Sequence, residues 1–248
     1  MATKPDLGSD LGVRSRRQEM LAGARDIVPL VVGAVPFGLI FGTLAQGSGL
    51  SFGATLGMSL FVFAGSSQFI ALGLLAAGSA GPLIVLTTVV VNLRHLLYAA
   101  SLLPYVRGAS QGWKVVIGFF LTDEAFAVAI RRYAQPDASP HKHWYYLGAA
   151  VAMYINWVVC TGLGLTVGQL MPNAAAWGLD FAMVVTFIGM IVPYATTRPM
   201  VGAIGVAGVV AVLAHGLPHK LGLMVAAIAG VTTGYWLEIG LARWRRQG

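Results

Sequence analysis

The chain has 248 residues, 57% hydrophobic and only 10% charged, with a mean hydropathy of +0.75. Soluble domains carry about 25% charged residues, so this composition is one for lipid. A net charge of +7 and a pI near 9.9 do not point to nucleic acid, because too little polar surface remains to face phosphates.

Residues 1–26 form a charged leader, expected to be a basic cytoplasmic segment, and from Ile27 to Leu93 there is no Asp, Glu, Lys or Arg at all. The first apolar run lacks a small-x-small cleavage pattern at its end and is expected to be a retained span. Apolar stretches suited to a hydrocarbon core about 30 Å thick lie near 27–46, 54–78, 82–104, 114–131, 144–170, 180–197, 200–216 and 220–241. They predict an all-α polytopic integral membrane protein of about eight transmembrane helices, or six or seven plus broken or re-entrant segments. A single transport domain would fill 27–241, followed by a basic cytoplasmic tail at 242–248. The pair 180–197 and 200–216, joined by Thr197, Arg198 and Pro199, is either two short spans or a re-entrant hairpin with Arg198 at membrane depth.

Orientation follows from the basic residues of alternate loops. Arg14, Arg16, Arg17, Arg25, Arg131, Arg132, Lys142, Arg198, Arg243, Arg245 and Arg246 fall on one side, against Arg107, Lys114 and Lys220 on the other. Eleven against three places both termini in the cytoplasm, and it accounts for the high pI. Trp113, Trp144, Tyr145, Trp177, Trp236 and Trp244 lie near span ends, as interfacial aromatics do. Small residues one turn apart at Gly38/Gly42, Gly53/Gly57, Gly164/Gly168 and Gly230/Gly234 permit close helix approach. Cys160, the lone cysteine, sits in an apolar run and forms no intrachain disulfide.

Ionisable residues inside spans are costly and therefore informative: Arg94 and His95 in the third span, Asp123 and Glu124 in the fourth. Arg94 lies 11 residues before the loop 105–113 and Asp123 lies 10 after it. At about 1.5 Å per residue both sit roughly 15–16 Å deep and can meet. They either neutralise each other to permit insertion or also face a substrate or proton pathway. Asn92 and His95, and Arg94 and Tyr98, share helix faces that carry more polar groups than a lipid-facing helix would. The adjacent carboxyls of Asp123 and Glu124 diverge around the helix, so one can pair with Arg94 while the other titrates.

In the second span, Phe63-Ala64-Gly65-Ser66-Ser67-Gln68-Phe69 sets a glycine and three polar side chains in apolar sequence, a run able to open a helix. The serines can instead bond back to their own helix carbonyls, but the Gln68 carboxamide needs partners. Gly33-Ala34-Val35-Pro36-Phe37-Gly38 and Gly189-Met190-Ile191-Val192-Pro193-Tyr194 form a faint internal echo of the kind that marks paired broken helices in transporters.

Enzymatic motifs fail on context. Gly108-Ala109-Ser110-Gln111-Gly112 fits G-x-S-x-G but occupies a loop between spans. His215 and His219 flank Pro218, which opposes a helical metal pair. No nucleotide-binding loop occurs. No metal, cofactor or nucleic acid is expected.

Together with Val91-Asn92-Leu93-Arg94-His95-Leu96-Leu97-Tyr98 and Leu121-Thr122-Asp123-Glu124-Ala125-Phe126, these glycine-proline and serine-glutamine motifs give a chain that resembles the AzlC family over nearly everything after residue 25. The family pattern usually has alanine where Ser66 stands, a departure that bears on pocket polarity. The resemblance implies a bacterial inner-membrane exporter of branched-chain amino acids such as valine, acting with a smaller membrane subunit resembling AzlD.

The function expected is a secondary transporter subunit, proton-coupled and alternating access to a midplane site. A zwitterion needs two opposed anchors. Its carboxylate is assigned to Arg94, Asn92 or backbone donors near Gly65, Ser66, Ser67 and Gln68, and its ammonium to Asp123 or Glu124. His95 joins those carboxyls as a candidate for proton coupling, and Pro36, Phe37 and Tyr98 are expected to shape an apolar pocket. Two readings of other classes compete: an intramembrane serine hydrolase using Ser67 with His95, and a non-transporting scaffold for a partner.

Overall fold

Lipid offers backbone amides no partner, so a chain of this composition must pair its own N–H and C=O groups, and here it does so in helices. The computed structural model describes residues 14–136, 139–170, 188, 192, 195–217 and 221–247, and no strand occurs among them. In order these are α1 (Arg16–Asp26), α2 (Val28–Gly47), α3 (Phe52–Gly57) with a π-helical turn Met58–Val62, α4 (Gly65–Ala76), α5 (Gly81–Asn92) and α6 (Arg94–Val106). Then follow α7 (Gln111–Phe119), α8 (Asp123–Ala134), α9 (Lys142–Leu170), α10 (Arg198–Leu213) and α11 (Leu221–Gln247).

Among the described residues, four helical stretches are long and apolar enough to cross a membrane: Val28–Gly47, Gly81–Val106, Lys142–Val167 and Val225–Arg243. They correspond to the spans expected near 27–46, 82–104, 144–170 and 220–241. The spans expected at 54–78 and 114–131 are each split in the middle, the first into α3 and α4, the second into α7 and α8. The stretch 200–216 forms α10. Most of 180–197, and Pro193 with the echo it carries, lies outside the described residues.

The long α9 is the axis of the bundle, and α2 lies along it at backbone contact. A Cβ on Gly42 would sit 2.2 Å from the Thr161 carbonyl oxygen, and one on Gly164 would sit 2.1 Å from that of Leu39. This approach lets Thr43 Oγ1 donate to the Gly164 carbonyl at 3.1 Å and Gln46 Nε2 to that of Leu165 at 3.0 Å. Gly230 and Gly234 likewise meet Ala207 and Ala203 between α11 and α10, whereas Gly53 and Gly57 have no neighbour within 4 Å. Phe37, Phe41, Phe69 and Trp157 fill the core between α2, α4 and α9, and Leu102, Ile117, Tyr146 and Ala150 fill a second core beside it.

The N-terminal helix is tied to this bundle. Ser15 and Gln18 cap α1 reciprocally, and fully buried Glu19 accepts from Arg132 of α8 through both Nε and Nη2. Ser139 Oγ adds a third donor at 2.9 Å. Arg132, one of the cations counted on the cytoplasmic side, is thus paired inside the protein. Burial alone raises the Glu19 carboxyl, but its hydrogen bonds to Arg132 and Ser139 and the Arg132 charge outweigh this and hold it below the ordinary value.

Candidate functional site

The two split helices create the site. After the π-turn, Phe63 takes a left-handed conformation at φ 43, which costs a non-glycine residue about 1–3 kcal/mol. The Phe63 ring packs edge-on to Tyr154, 4.9 Å between centroids, and the Tyr154 hydroxyl donates to the Leu60 carbonyl at 3.0 Å. The second break, at 120–122, is handled the same way, with the Tyr146 hydroxyl donating to the Ile117 carbonyl at 2.8 Å. Both tyrosines belong to α9. A carbonyl freed by a helix break in a dry interior must find such a donor.

Each break starts a new helix whose N-terminus reaches the same place. The α4 N-terminus has no side-chain cap, so its first-turn N–H groups and the positive end of its dipole stay available to an anion. At α8, Thr122 Oγ1 accepts from the Ala125 N–H at 3.2 Å, and Asp123 and Glu124 occupy the first turn.

Arg94, the first residue of α6, bridges the two. Its Nη2 lies 3.1 Å from Asp123 Oδ2 and donates to Ser66 Oγ at 2.5 Å. Tyr98 donates to the other Asp123 oxygen at 2.5 Å and stacks on Phe126. Arg94 Nε is buried and has no hydrogen-bond partner. His95 Nδ1 is 3.1 Å from the Asn92 carbonyl, an acceptor only, so Nδ1 carries a proton and donates. No group of three or more His, Cys, Asp or Glu suited to a metal ion occurs among the described residues.

A cavity of about 240 Å³ adjoins this cluster. Its polar wall is Ser66, Arg94, His95, Thr122, Asp123 and Glu124; its apolar wall includes Pro29, Leu30, Phe37, Phe63, Met153 and Trp157. The side chains of Arg94 and Asp123 keep 27% and 22% of their exposure, so the ion pair is not sealed. Pro29, Gly33 and Phe37 form an i, i+4, i+8 stripe on α2 that starts at its N-terminal end. Past Phe37 the space is closed by aromatic packing of Phe37 and Phe41 on Phe69, and of Phe41 on Trp157.

Of the residues singled out in the sequence, Phe37, Gly65, Ser66, Arg94, His95, Asp123 and Glu124 line the cavity. Ser67, Gln68, Asn92 and Tyr98 stand behind that wall. Ser67 is buried and donates to Asn92 Oδ1 at 2.6 Å. Gln68 is fully buried and donates to Ser59 Oγ at 3.2 Å. Tyr98 reaches the site through Asp123, to which its hydroxyl donates, and through its edge-on contact with His95. Pro36, by contrast, is exposed on the far side of α2, because it lies 100° round the helix from Phe37. No hydrogen bond joins Ser67 to His95; both pair with Asn92. Sequence reasoning passed over Met153 and Trp157. A tryptophan at mid-span beside Asn156, when the others gather near span ends, was the available signal.

The sequence profile described as AzlC protein matches residues 29–171, more than half of the chain and all of the site. The chain belongs to the AzlC family. Its relatives include the "Inner membrane protein YgaZ" of Escherichia coli (strain K12), 28% identical over 91% of each chain. The "Branched-chain amino acid transport protein AzlC" of Bacillus subtilis (strain 168) is 30% identical over 65% of this chain and 62% of its own. An "Uncharacterized membrane protein" of Archaeoglobus fulgidus is 28% identical over 84% of this chain and 90% of its own. No solved structure matches. AzlC is a membrane transport family, and this member, helical without strands among its described residues, is a multi-pass inner-membrane transporter.

Proposed function

We propose that this chain is the large subunit of a secondary, proton-coupled exporter of branched-chain amino acids such as L-valine. It would alternate access together with a small AzlD-like membrane subunit. The observation that carries the proposal is the cavity in which the Arg94 guanidinium, the uncapped α4 N-terminus and two carboxyls meet an apolar wall.

A zwitterionic amino acid fits these features. Its carboxylate takes Arg94 and the α4 N–H groups, its ammonium takes Asp123 or Glu124, and its side chain lies against the apolar wall. At about 240 Å³ the space falls below the roughly 300–1,000 Å³ of drug-sized pockets and suits a small metabolite. The Bacillus subtilis relative, named for branched-chain amino acid transport, supports the substrate class. Given the cytoplasmic N-terminus expected from the loop charges, the exposed lining residues Pro29, Leu30 and Gly33 lie toward the cytoplasmic end of α2 with Phe37 packed beyond them, an arrangement that suits an exporter waiting for substrate. His95 and Glu124 flank the ion pair and are the groups available to pass a proton. The burial of Ser67 and its bond to Asn92 favour this reading over a serine hydrolase.

The test is flux in proteoliposomes containing both subunits. Asp123→Asn and Glu124→Gln reduce valine flux driven by a pH gradient and leave assembly intact. Wild-type flux in both removes the carboxyl mechanism, and equal efflux with and without this chain points to a scaffold.

A further inference from the structure

The cavity wall contains one large side chain that is fixed on every side. Trp157, one turn beyond Met153 on α9, is 7% exposed, and its Nε1–H donates to Gln68 Oε1 at 3.1 Å. Gln68 is itself held, donating to Ser59 Oγ at 3.2 Å, and Ser59 Oγ lies 2.9 Å from Thr161 Oγ1. One face of the indole stacks on Phe41, with centroids 6.0 Å apart. The opposite end of the ring presses on Gly65: a Cβ there would sit 2.9 Å from Cη2 and 3.4 Å from Cζ2 and Cζ3. A fully buried carboxamide with its partners is expensive to rearrange, and an indole pinned at nitrogen, face and edge has one position. Met153, beside it, can yield because its thioether chain is flexible.

We propose that Trp157 sets the upper size limit on the substrate side chain, with Gln68 and Gly65 as the residues that position it. This rests on the cavity being the substrate site. With the two charges of a zwitterion anchored at Arg94 and Asp123, the side chain must extend to the apolar wall, and a wall that does not give converts side-chain length into a steep cut-off. A methylene of misfit is worth roughly 10–200-fold in selectivity at such a wall. Gly65 is needed here for clearance, since any Cβ would drive the indole into the space.

The two positions make opposite predictions. In proteoliposomes holding the assembled transporter, Trp157→Phe enlarges the space and raises the ratio of phenylalanine to valine flux by about tenfold. Gly65→Ala pushes the indole inward and lowers the ratio of leucine to alanine flux by a similar factor. Loss of an anchor at the α4 N-terminus would lower both fluxes together, so the ratio separates displacement of Trp157 from damage to carboxylate binding. Either variant decides the matter alone if the other does not fold. Unchanged ratios while wild-type protein moves valine overturn the role of Trp157 and leave the transport reading standing. Wild-type protein that neither moves nor is thermally stabilised by any amino acid overturns the substrate site, and this inference with it.

Discussion

The hydroxyl of Tyr154 on α9 lies 3.0 Å from the carbonyl oxygen of Leu60, the group that the break before α4 leaves without its helical partner. Eight residues earlier on the same helix, Tyr146 does this for Ile117. Tyr154→Phe keeps the ring that packs on Phe63 and strands the carbonyl, which costs about 1–3 kcal/mol. A thermal midpoint lower than wild type in purified protein is expected. An unchanged midpoint for both Tyr154→Phe and Tyr146→Phe would mean that the breaks do not depend on these bonds.

Arg94 meets Asp123 and Ser66 through Nη2, and its partly exposed side chain lines the cavity, where the planar fork can meet a ligand carboxylate. Lysine preserves the charge but not the fork. Arg94→Lys is therefore expected to remain folded and to lose about tenfold in apparent substrate affinity, the value of one charge-assisted hydrogen bond of at least about 1.5 kcal/mol. Competition of valine for uptake sites across a concentration series measures it. Arg94→Ala is less informative, because it leaves Asp123 without its cation.

Glu19 ties α1 to α8 and has its carboxyl held below the ordinary value of 4.5. A depressed acid contributes stability that is fully present above its unfolded value and is lost as pH falls through its folded value. Docking of α1 should thus be constant above about pH 5 and weaken below the ordinary carboxylate value. Hydrogen exchange in residues 16–26 against pH reads this directly. Glu19→Gln, which leaves Arg132 buried without its anion, should lower stability by on the order of 3 kcal/mol and flatten that acid limb. An acid limb unchanged by the substitution would assign it to other carboxyls.

Gly42→Ala puts a methyl 2.2 Å from the Thr161 carbonyl oxygen and forces α2 from α9, an overpacking cost of about 1–3 kcal/mol. Gly53→Ala meets nothing within 4 Å and should be neutral or stabilising by up to about 1 kcal/mol. Yield and thermal midpoint of the two variants side by side distinguish packing glycines from those that are merely common in membrane helices.

Much of the site was legible because membrane sequences tolerate few ionisable residues. Arg94 and Asp123 stood out for that reason, and equal depth from their shared loop predicted the contact that the structure places at 3.1 Å. Ser66 and Gly65 stood out as polar and small residues where a helix could open. Trp157 was passed over, because its mid-span position beside Asn156 marks it as unusual but does not say which neighbours it packs against.

Composition and hydropathy by themselves determined that the chain is helical and membrane-bound, since unpaired amides are intolerable in hydrocarbon whatever the neighbours. Spacing along single helices determined which charges share a level. Only the tertiary structure decided that two spans are split, that both new N-termini converge on Arg94, that Gln68 holds a wall instead of lining it, and that Pro36 faces away. Those outcomes depend on which helix supplies the missing donor or the glycine gap, as α9 does with Tyr146, Tyr154 and Gly164, and such partners lie 29 residues apart for Tyr146 and Ile117 and 94 for Tyr154 and Leu60, beyond the reach of any local pattern.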